Sequence, residues 1–133
     1  MKVTYKEFEI NAIYKGDKAA TWNKNNFNRH IVYVKNKTTG AKTSFEFWAS
    51  IANPTLETEY DVLNAFYCFV SDALSGLNSF EDFCGEFGYD TDSMSAYKTF
   101  NACKRAYKKF EKIEDSETDD IYNFVNELSD IAG

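Results

Sequence analysis

Apolar and polar residues alternate with a short period in the first part of the chain and with a helical period in the second. Residues 3–14 alternate loosely, and residues 29–36 and 42–49 are rich in β-branched and aromatic side chains. These patterns are typical of half-buried strands. The interruption near Lys6 fits a bulge or the start of a strand, and Gly16 is predicted to end the first strand. We therefore expect three antiparallel strands.

The connections between these strands differ in character. Residues 18–28 are polar, rich in asparagine and without a period, which predicts a loop. Residues 37–40 end in glycine and predict a hairpin turn. Phe45 and Phe47 are predicted to share one face of the last strand. An aromatic strand at a sheet edge could pair with a second copy, so a homodimer is one expectation.

Four helical patterns follow the single proline, Pro54. The first begins near Glu57, where Thr55 or Thr58 can serve as the N-cap, and its wide apolar surface predicts a buried helix lying across the sheet. Gly76 is predicted to end this helix.

The next two helices are predicted within residues 79–110. The apolar stripe of the second helix has the spacing i, i+3, i+4 and i+7, and it consists of Phe80, Phe83, Cys84 and Phe87. Gly88 follows where a left-handed residue would end that helix, and Asp90, Asp92 or Ser93 can cap the third helix. The stripe of the third helix consists of Tyr97, Phe100, Cys103 or Lys104, Tyr107 and Phe110. A fourth helix is predicted from Ser116 or Thr118.

The order of the elements predicts an α+β fold. An N-terminal three-stranded antiparallel sheet, residues 1–50, would be covered by a C-terminal group of about four helices, residues 56–133. A length of 133 residues predicts one domain, 1–133, that needs no metal or disulfide to hold its core.

Composition narrows the class of protein. The three cysteines have no CxxC spacing and lie inside apolar helical patterns, so we interpret them as buried, reduced core thiols of a cytosolic protein. The N-terminus shows no apolar leader segment, and no apolar run is long enough to span a bilayer. We therefore expect neither secretion nor a membrane anchor.

Charge is distributed in blocks, although the net charge is −6. Residues 50–93 and 113–133 carry acidic but no basic side chains, whereas residues 94–112 carry six basic and one acidic. Acidic blocks can solvate helices, or they can offer a negative face to a basic groove of another protein. The candidate partner-binding carboxylates are Glu57, Glu59, Asp61, Glu81, Asp82, Glu86, Asp90, Asp92, Asp119 and Asp120.

The sequence lacks the patterns of the common enzyme classes. It contains no Gly-rich nucleotide loop, no nucleophile elbow and no zinc-protease motif, and His30 is its single histidine. Residues 90–93 resemble the start of a calcium loop, but the required glycine and final glutamate are missing. We therefore expect no enzyme, no metal and no cofactor.

A second surface interleaves aromatic, amide and basic side chains in residues 22–30. Such a surface can stack bases and hold phosphates, so the alternative expectation is a protein that binds nucleic acid or a small signalling nucleotide. The negative net charge makes direct nucleic-acid binding the weaker of the two expectations. The residues of this alternative, including the basic helix 98–112, are Trp22, Lys24, Arg29, His30, Lys104, Arg105 and Lys108.

The segment from Ser79 to Ser93 carries a resemblance to a known group of proteins. It reads S-F-x-D-F-C-x-E-F-G-Y-D-x-D-S and is followed by a helix with the pair Ala102-Cys103. This pattern resembles small, mostly uncharacterised proteins encoded by bacteriophages and prophages. The resemblance covers about a quarter of the chain, and the shared residues are helix stripes and caps, so it implies no catalytic residue.

The resemblance implies a phage origin. Small acidic phage proteins without catalytic motifs are often inhibitors of host defence, and anti-CRISPR proteins are the best-known class. The first expectation is therefore an anti-CRISPR protein in the host cytoplasm, with a CRISPR-Cas effector as partner and an acidic face that occupies its nucleic-acid-binding groove. A virion or assembly component is a further alternative.

Overall fold

A computed structural model of the chain describes residues 1–19, 26–49, 56–114 and 118–132. It is an α+β fold with one antiparallel sheet and four helices in the described part. The strands are β1 (Lys2–Tyr5), β2 (Phe8–Ala19), β3 (Asn26–Asn36) and β4 (Lys42–Ala49), in the spatial order β1-β2-β3-β4.

The sheet has four strands where the sequence predicted three. Residues 3–14 are not one strand, because Tyr5 pairs directly with Phe8 across a two-residue turn. Lys6 occupies the first turn position with φ 50°, a conformation that is uncommon for residues other than glycine. The side chain of Lys6 is bound to Glu127, far along the chain, and this contact helps to hold the turn.

The prediction that Gly16 ends its strand is wrong. The strand continues to Ala19, and its pairing with β3 shifts register between Tyr14 and Asp17. Gly16 has φ 105°, which glycine adopts without steric cost, so it forms a bulge within the strand. Both strands therefore extend into the predicted loop 18–28, of which residues 20–25 lie outside the described ranges.

The turn between β3 and β4 confirms the predicted hairpin, with Gly40 at φ 79°. Buried Asn36 organises this turn. Its side-chain oxygen accepts hydrogen bonds from the amides of Thr38 and Thr39, at 2.9 and 3.2 Å. Its side-chain nitrogen donates to the carbonyl oxygen of Ile113 at 2.8 Å and so joins the turn to the helical layer.

The four helices are α1 (Glu59–Ser75), α2 (Phe80–Phe87), α3 (Met94–Ile113) and α4 (Thr118–Ala132). Thr58 caps α1 in a reciprocal capping box with Asp61, and Ser79 and Ser93 cap α2 and α3. Gly88 ends α2 in the predicted left-handed conformation, with φ 72°.

The main core lies between the sheet and the helices α1, α3 and α4. Helix α1 is central, with seven buried residues, as its wide apolar surface predicted. The ring of Phe124 on α4 approaches Phe8, Phe66 and Phe110 at centroid distances of 5.6 to 6.1 Å. These aromatic contacts join three helices and the sheet into one core.

Helix α2 packs outside this core, against α3. Its two buried residues, Phe83 and Cys84, form a separate cluster with Ala96, Phe100 and Cys103 of α3. The opposite face of the sheet, which bears Ile13 and Tyr33, carries none of the described helices. No helix within the described residues is long and apolar enough to cross a membrane.

Candidate partner-binding surfaces

The corner where α2 turns into α3 exposes an unusual number of large apolar side chains. The exposed fractions are 50% for Phe87, 39% for Tyr89, 67% for Met94 and 52% for Tyr97. Their exposure has a structural cause. Helix α2 is only eight residues long, and among the described elements it packs mainly on α3. The outer part of its aromatic stripe therefore has no covering element in the described chain.

Buried rings hold the exposed rings of this corner in place. Phe83 is 2% exposed and lies 4.9 Å from the ring of Phe87 and 5.9 Å from that of Tyr89. Phe80 meets Tyr97 edge to face at 5.8 Å. Aromatic side chains fixed in this way lose little conformational entropy when a partner covers them.

Carboxylates surround these rings, and we call the whole surface the acidic corner. Its acidic members are Glu81, Asp82, Glu86, Asp90 and Asp92, all of them exposed. Within the described ranges none of them forms an ion pair. Among hydrogen bonds between described residues, Glu86 alone of these five has one on its side chain, which it accepts from Asn78 at 3.1 Å. The acidic corner thus combines an apolar centre with a negative rim.

The ten carboxylates predicted from the sequence do not form one surface. Glu57, Glu59 and Asp61 lie at the start of α1, whereas the five corner carboxylates follow its end. The 17 residues of α1 place these groups at opposite ends of an axis about 25 Å long. Asp61 also accepts a hydrogen bond from the Thr58 amide in the capping box. The side chains of Asp119 and Asp120 lie outside the described part.

A second surface is positively charged, and we call it the basic strip. It follows the C-terminal half of α3 and consists of Lys104, Arg105, Lys108, Lys109 and Lys112, all exposed. In the described part of the chain no carboxylate pairs with them. The sequence named Lys104, Arg105 and Lys108 within a basic helix 98–112, and the structure places them beside Lys109 and Lys112 on α3.

Three cavities adjoin the basic strip and share its residues. One of 530 Å³ and one of 240 Å³ are both lined by Arg105. One of 370 Å³ shares Lys109 with the 240 Å³ cavity. The strip therefore borders a continuous series of depressions.

The 240 Å³ cavity is a cleft between β4, α1 and α3 with a thiol on its wall. Cys68 and Asp72 line it opposite Arg105 and Lys109, over the stacked rings of Phe45 and Phe69, whose centroids are 4.3 Å apart. Cys68 is half-buried, which corrects the prediction that all three thiols lie in the core.

The environment of the three thiols opposes their ionisation. Burial raises the pKa of Cys68, and the charge of Asp72 raises it further. Burial likewise raises the pKa of Asp72. Burial raises the pKa of Cys103 to about 11 and also raises that of Cys84. Nucleophilic cysteines are ionised at neutral pH, so the cleft lacks the character of a thiol active site.

The alternative aromatic and basic surface is only partly present as predicted. Trp22 and Lys24 lie outside the described residues. Arg29 donates to Glu46 at 2.6 Å on the open face of the sheet. His30 points to the opposite face and is 2% exposed, so it does not share an exposed surface with Arg29. Alternation along β3 explains this outcome, because adjacent residues of a strand point to opposite faces.

Neither a metal site among the described residues nor a similar known protein assigns a function to these surfaces. Among the described residues there is no group of three His, Cys, Asp or Glu side chains that could hold a metal ion. No family model, no curated protein and no solved structure matches the chain.

Proposed function

We propose that this protein acts by binding another protein through the acidic corner. One observation carries the proposal. Four large apolar side chains are exposed beside five carboxylates, and these carboxylates form no ion pair with any described residue. Exposed apolar patches with polar rims mark interaction sites on soluble proteins. Buried aromatic anchors supply most of the binding energy at such interfaces, and charged rims select the partner and speed association.

The sign of the rim identifies the kind of partner. Carboxylates in an exposed group are attracted to arginine and lysine, and proteins that grip phosphates present those residues in grooves. A partner surface that normally binds nucleic acid therefore fits the acidic corner. The resemblance of residues 79–93 to phage-encoded proteins supports a host defence complex as this partner, and an anti-CRISPR inhibitor is the function we propose.

Capture from a host lysate that contains CRISPR effectors tests this proposal. The tagged protein is compared with two double variants of equal charge change, Glu81→Lys/Glu86→Lys and Glu57→Lys/Glu59→Lys. Glu59 and Glu81 both lie in the first turn of a helix, so both variants lose one favourable interaction with a helix dipole.

We expect the wild-type protein and the Glu57/Glu59 variant to retain an effector in stoichiometric amount, and the Glu81/Glu86 variant to lose it. Thermal unfolding shows whether each variant is folded. Equal retention by the two variants, or no effector with the wild-type protein, would count against the proposal.

A further inference from the structure

The open face of the sheet offers an aromatic ring close to the basic strip. Tyr33 on β3 is 43% exposed and pairs in register with Asn11 and Ser44. No described ring packs on Tyr33, in contrast to the phenylalanines of the core. A flat face of this aromatic side chain is therefore accessible for stacking.

One depression brings this ring together with positive charge. The 370 Å³ cavity at the edge of β4 is lined by Tyr33, by Thr43 and Ser44, and by three lysines, which are Lys42, Lys109 and Lys112. No carboxylate lines it, and none pairs with these lysines in the part of the chain that the structure describes. An aromatic face, hydroxyl groups and three ammonium groups around one depression match a base and its adjoining phosphates.

The positive charge continues beyond this depression along α3. Lys112, Lys108 and Lys104 follow one another at intervals of four residues, and Lys109 and Arg105 run beside them at the same interval. Residues at that interval are neighbours on a helix surface, about 5–6 Å apart. A polyanion that starts at Tyr33 therefore meets a cation at every helical turn.

We infer that this path, from Tyr33 over the edge of β4 to the basic strip, binds single-stranded nucleic acid. The preference for a single strand over a duplex is inferred from the ring of Tyr33. Base faces are accessible for stacking on a protein ring only when the bases are not stacked in a duplex. This surface is separate from the acidic corner, since Tyr97 and Lys112 lie on α3 about 22 Å apart along its axis. The inference does not depend on the protein partner proposed above.

Fluorescence anisotropy at low salt tests the inference, with a labelled oligothymidylate of about 12 nucleotides. A labelled hairpin duplex and a mononucleotide serve as the comparison probes. The variants are Tyr33→Leu and the double variant Lys109→Gln/Lys112→Gln. Lys2→Gln is the control, because Lys2 is an exposed lysine on β1, at the edge of the sheet opposite β4, and lines none of the three cavities.

We expect the single strand to bind more tightly than the duplex and the mononucleotide. Tyr33→Leu should weaken binding of the single strand by about 5- to 100-fold and leave duplex binding unchanged. Lys109→Gln/Lys112→Gln should weaken binding of both and reduce the slope of log affinity against log salt by about 1.4 for the single strand. Lys2→Gln should bind as the wild-type protein does.

Three results would overturn the inference. They are equal or tighter binding of the duplex, unchanged single-strand affinity of Tyr33→Leu, and absence of binding to any probe at low salt. Circular dichroism confirms that each variant is folded, which is expected because all the substituted side chains are exposed.

Discussion

Gly76 lies directly against the backbone of Cys103, so that a Cβ atom at residue 76 would be 2.3 Å from the Cys103 carbonyl oxygen. Gly76 has helical backbone angles, φ −68° and ψ −11°, which any residue can adopt. Glycine is needed here for close approach, because α1 meets α3 at this point. The contact sets how closely α1 and α3 approach each other, and α3 carries the basic strip and part of the acidic corner.

Gly76→Ala should therefore destabilise the protein by at least about 2 kcal/mol, because backbone atoms of α3 must move to admit the methyl group. Gly85→Ala is the matched control. Gly85 lies in α2 with nothing within 4 Å of its Cβ position, so alanine should stabilise that helix by about 0.5–1 kcal/mol. Urea unfolding of both variants measures the difference. Similar unfolding free energies for the two variants would contradict the close approach.

His30 should make stability fall in mildly acidic solution. Burial is the main cause that lowers its pKa in the folded protein, and hydrogen bonding to backbone groups of Asn28 and Phe47 offsets part of this effect. Below the unfolded value of about 6.5 the unfolded chain gains a proton that the folded protein resists. Stability is thus full above that pH and decreases below it, by up to about 1.4 kcal/mol per pH unit, until the folded pKa is reached.

His30→Phe removes this titration. The difference in unfolding free energy between the variant and the wild-type protein should grow in favour of the variant between pH 7 and pH 5.5. Carboxylates titrate in both proteins, so the difference isolates His30. A difference that stays constant with pH would show that His30 does not titrate in this way.

The turn at Lys6 should reveal its backbone strain when the side chain is removed. Both Lys6→Ala and Lys6→Gly lose the exposed contact with Glu127, but only glycine relieves the positive φ. Lys6→Gly should therefore be more stable than Lys6→Ala by about 1 kcal/mol. Thermal unfolding of the two variants compares them directly, and equal stabilities would argue against a strained turn.

The exposed rings of the acidic corner should contribute to partner binding and little to stability. Phe87→Ser/Tyr97→Ser removes two side chains that are each about half exposed. We expect at least about a tenfold loss of partner affinity, since aromatic side chains are the usual energetic anchors of interfaces. Calorimetric titration with the captured partner measures the affinity. An unchanged affinity of the folded double variant would show that these two rings do not contribute to the interface.

Much of the fold could be predicted from local sequence patterns, because helix stripes, caps and turns are determined by residues close together in the chain. The stripe of α2, the left-handed Gly88 and the Thr58 cap each depend on residues within one or two turns. The turn at Lys6 was missed because neither Lys6 nor Glu7 is a typical turn residue. The pairing of Tyr5 with Phe8 closes this turn, and the Lys6 side chain contacts Glu127, which is 121 residues away.

The candidate surfaces were predicted less completely than the fold, because they depend on how the helices and strands pack together. A helical stripe predicts which side chains share a face, but it does not tell whether another element covers them. Phe87 and Tyr97 belong to predicted stripes and remain half exposed. In the same way, Tyr33 and Lys112 are distant in sequence, and only the packing of α3 beside β4 brings them to one depression.

If the acidic corner occupies a nucleic-acid-binding groove, as we propose, this protein and target DNA should compete for the captured effector. An electrophoretic mobility shift of target DNA by the captured effector is recorded with increasing amounts of this protein. We expect the wild-type protein and Glu57→Lys/Glu59→Lys to abolish the shift near equimolar amounts, whereas Glu81→Lys/Glu86→Lys should not. Full DNA binding in the presence of the wild-type protein, or equal inhibition by folded Glu81→Lys/Glu86→Lys, would contradict it.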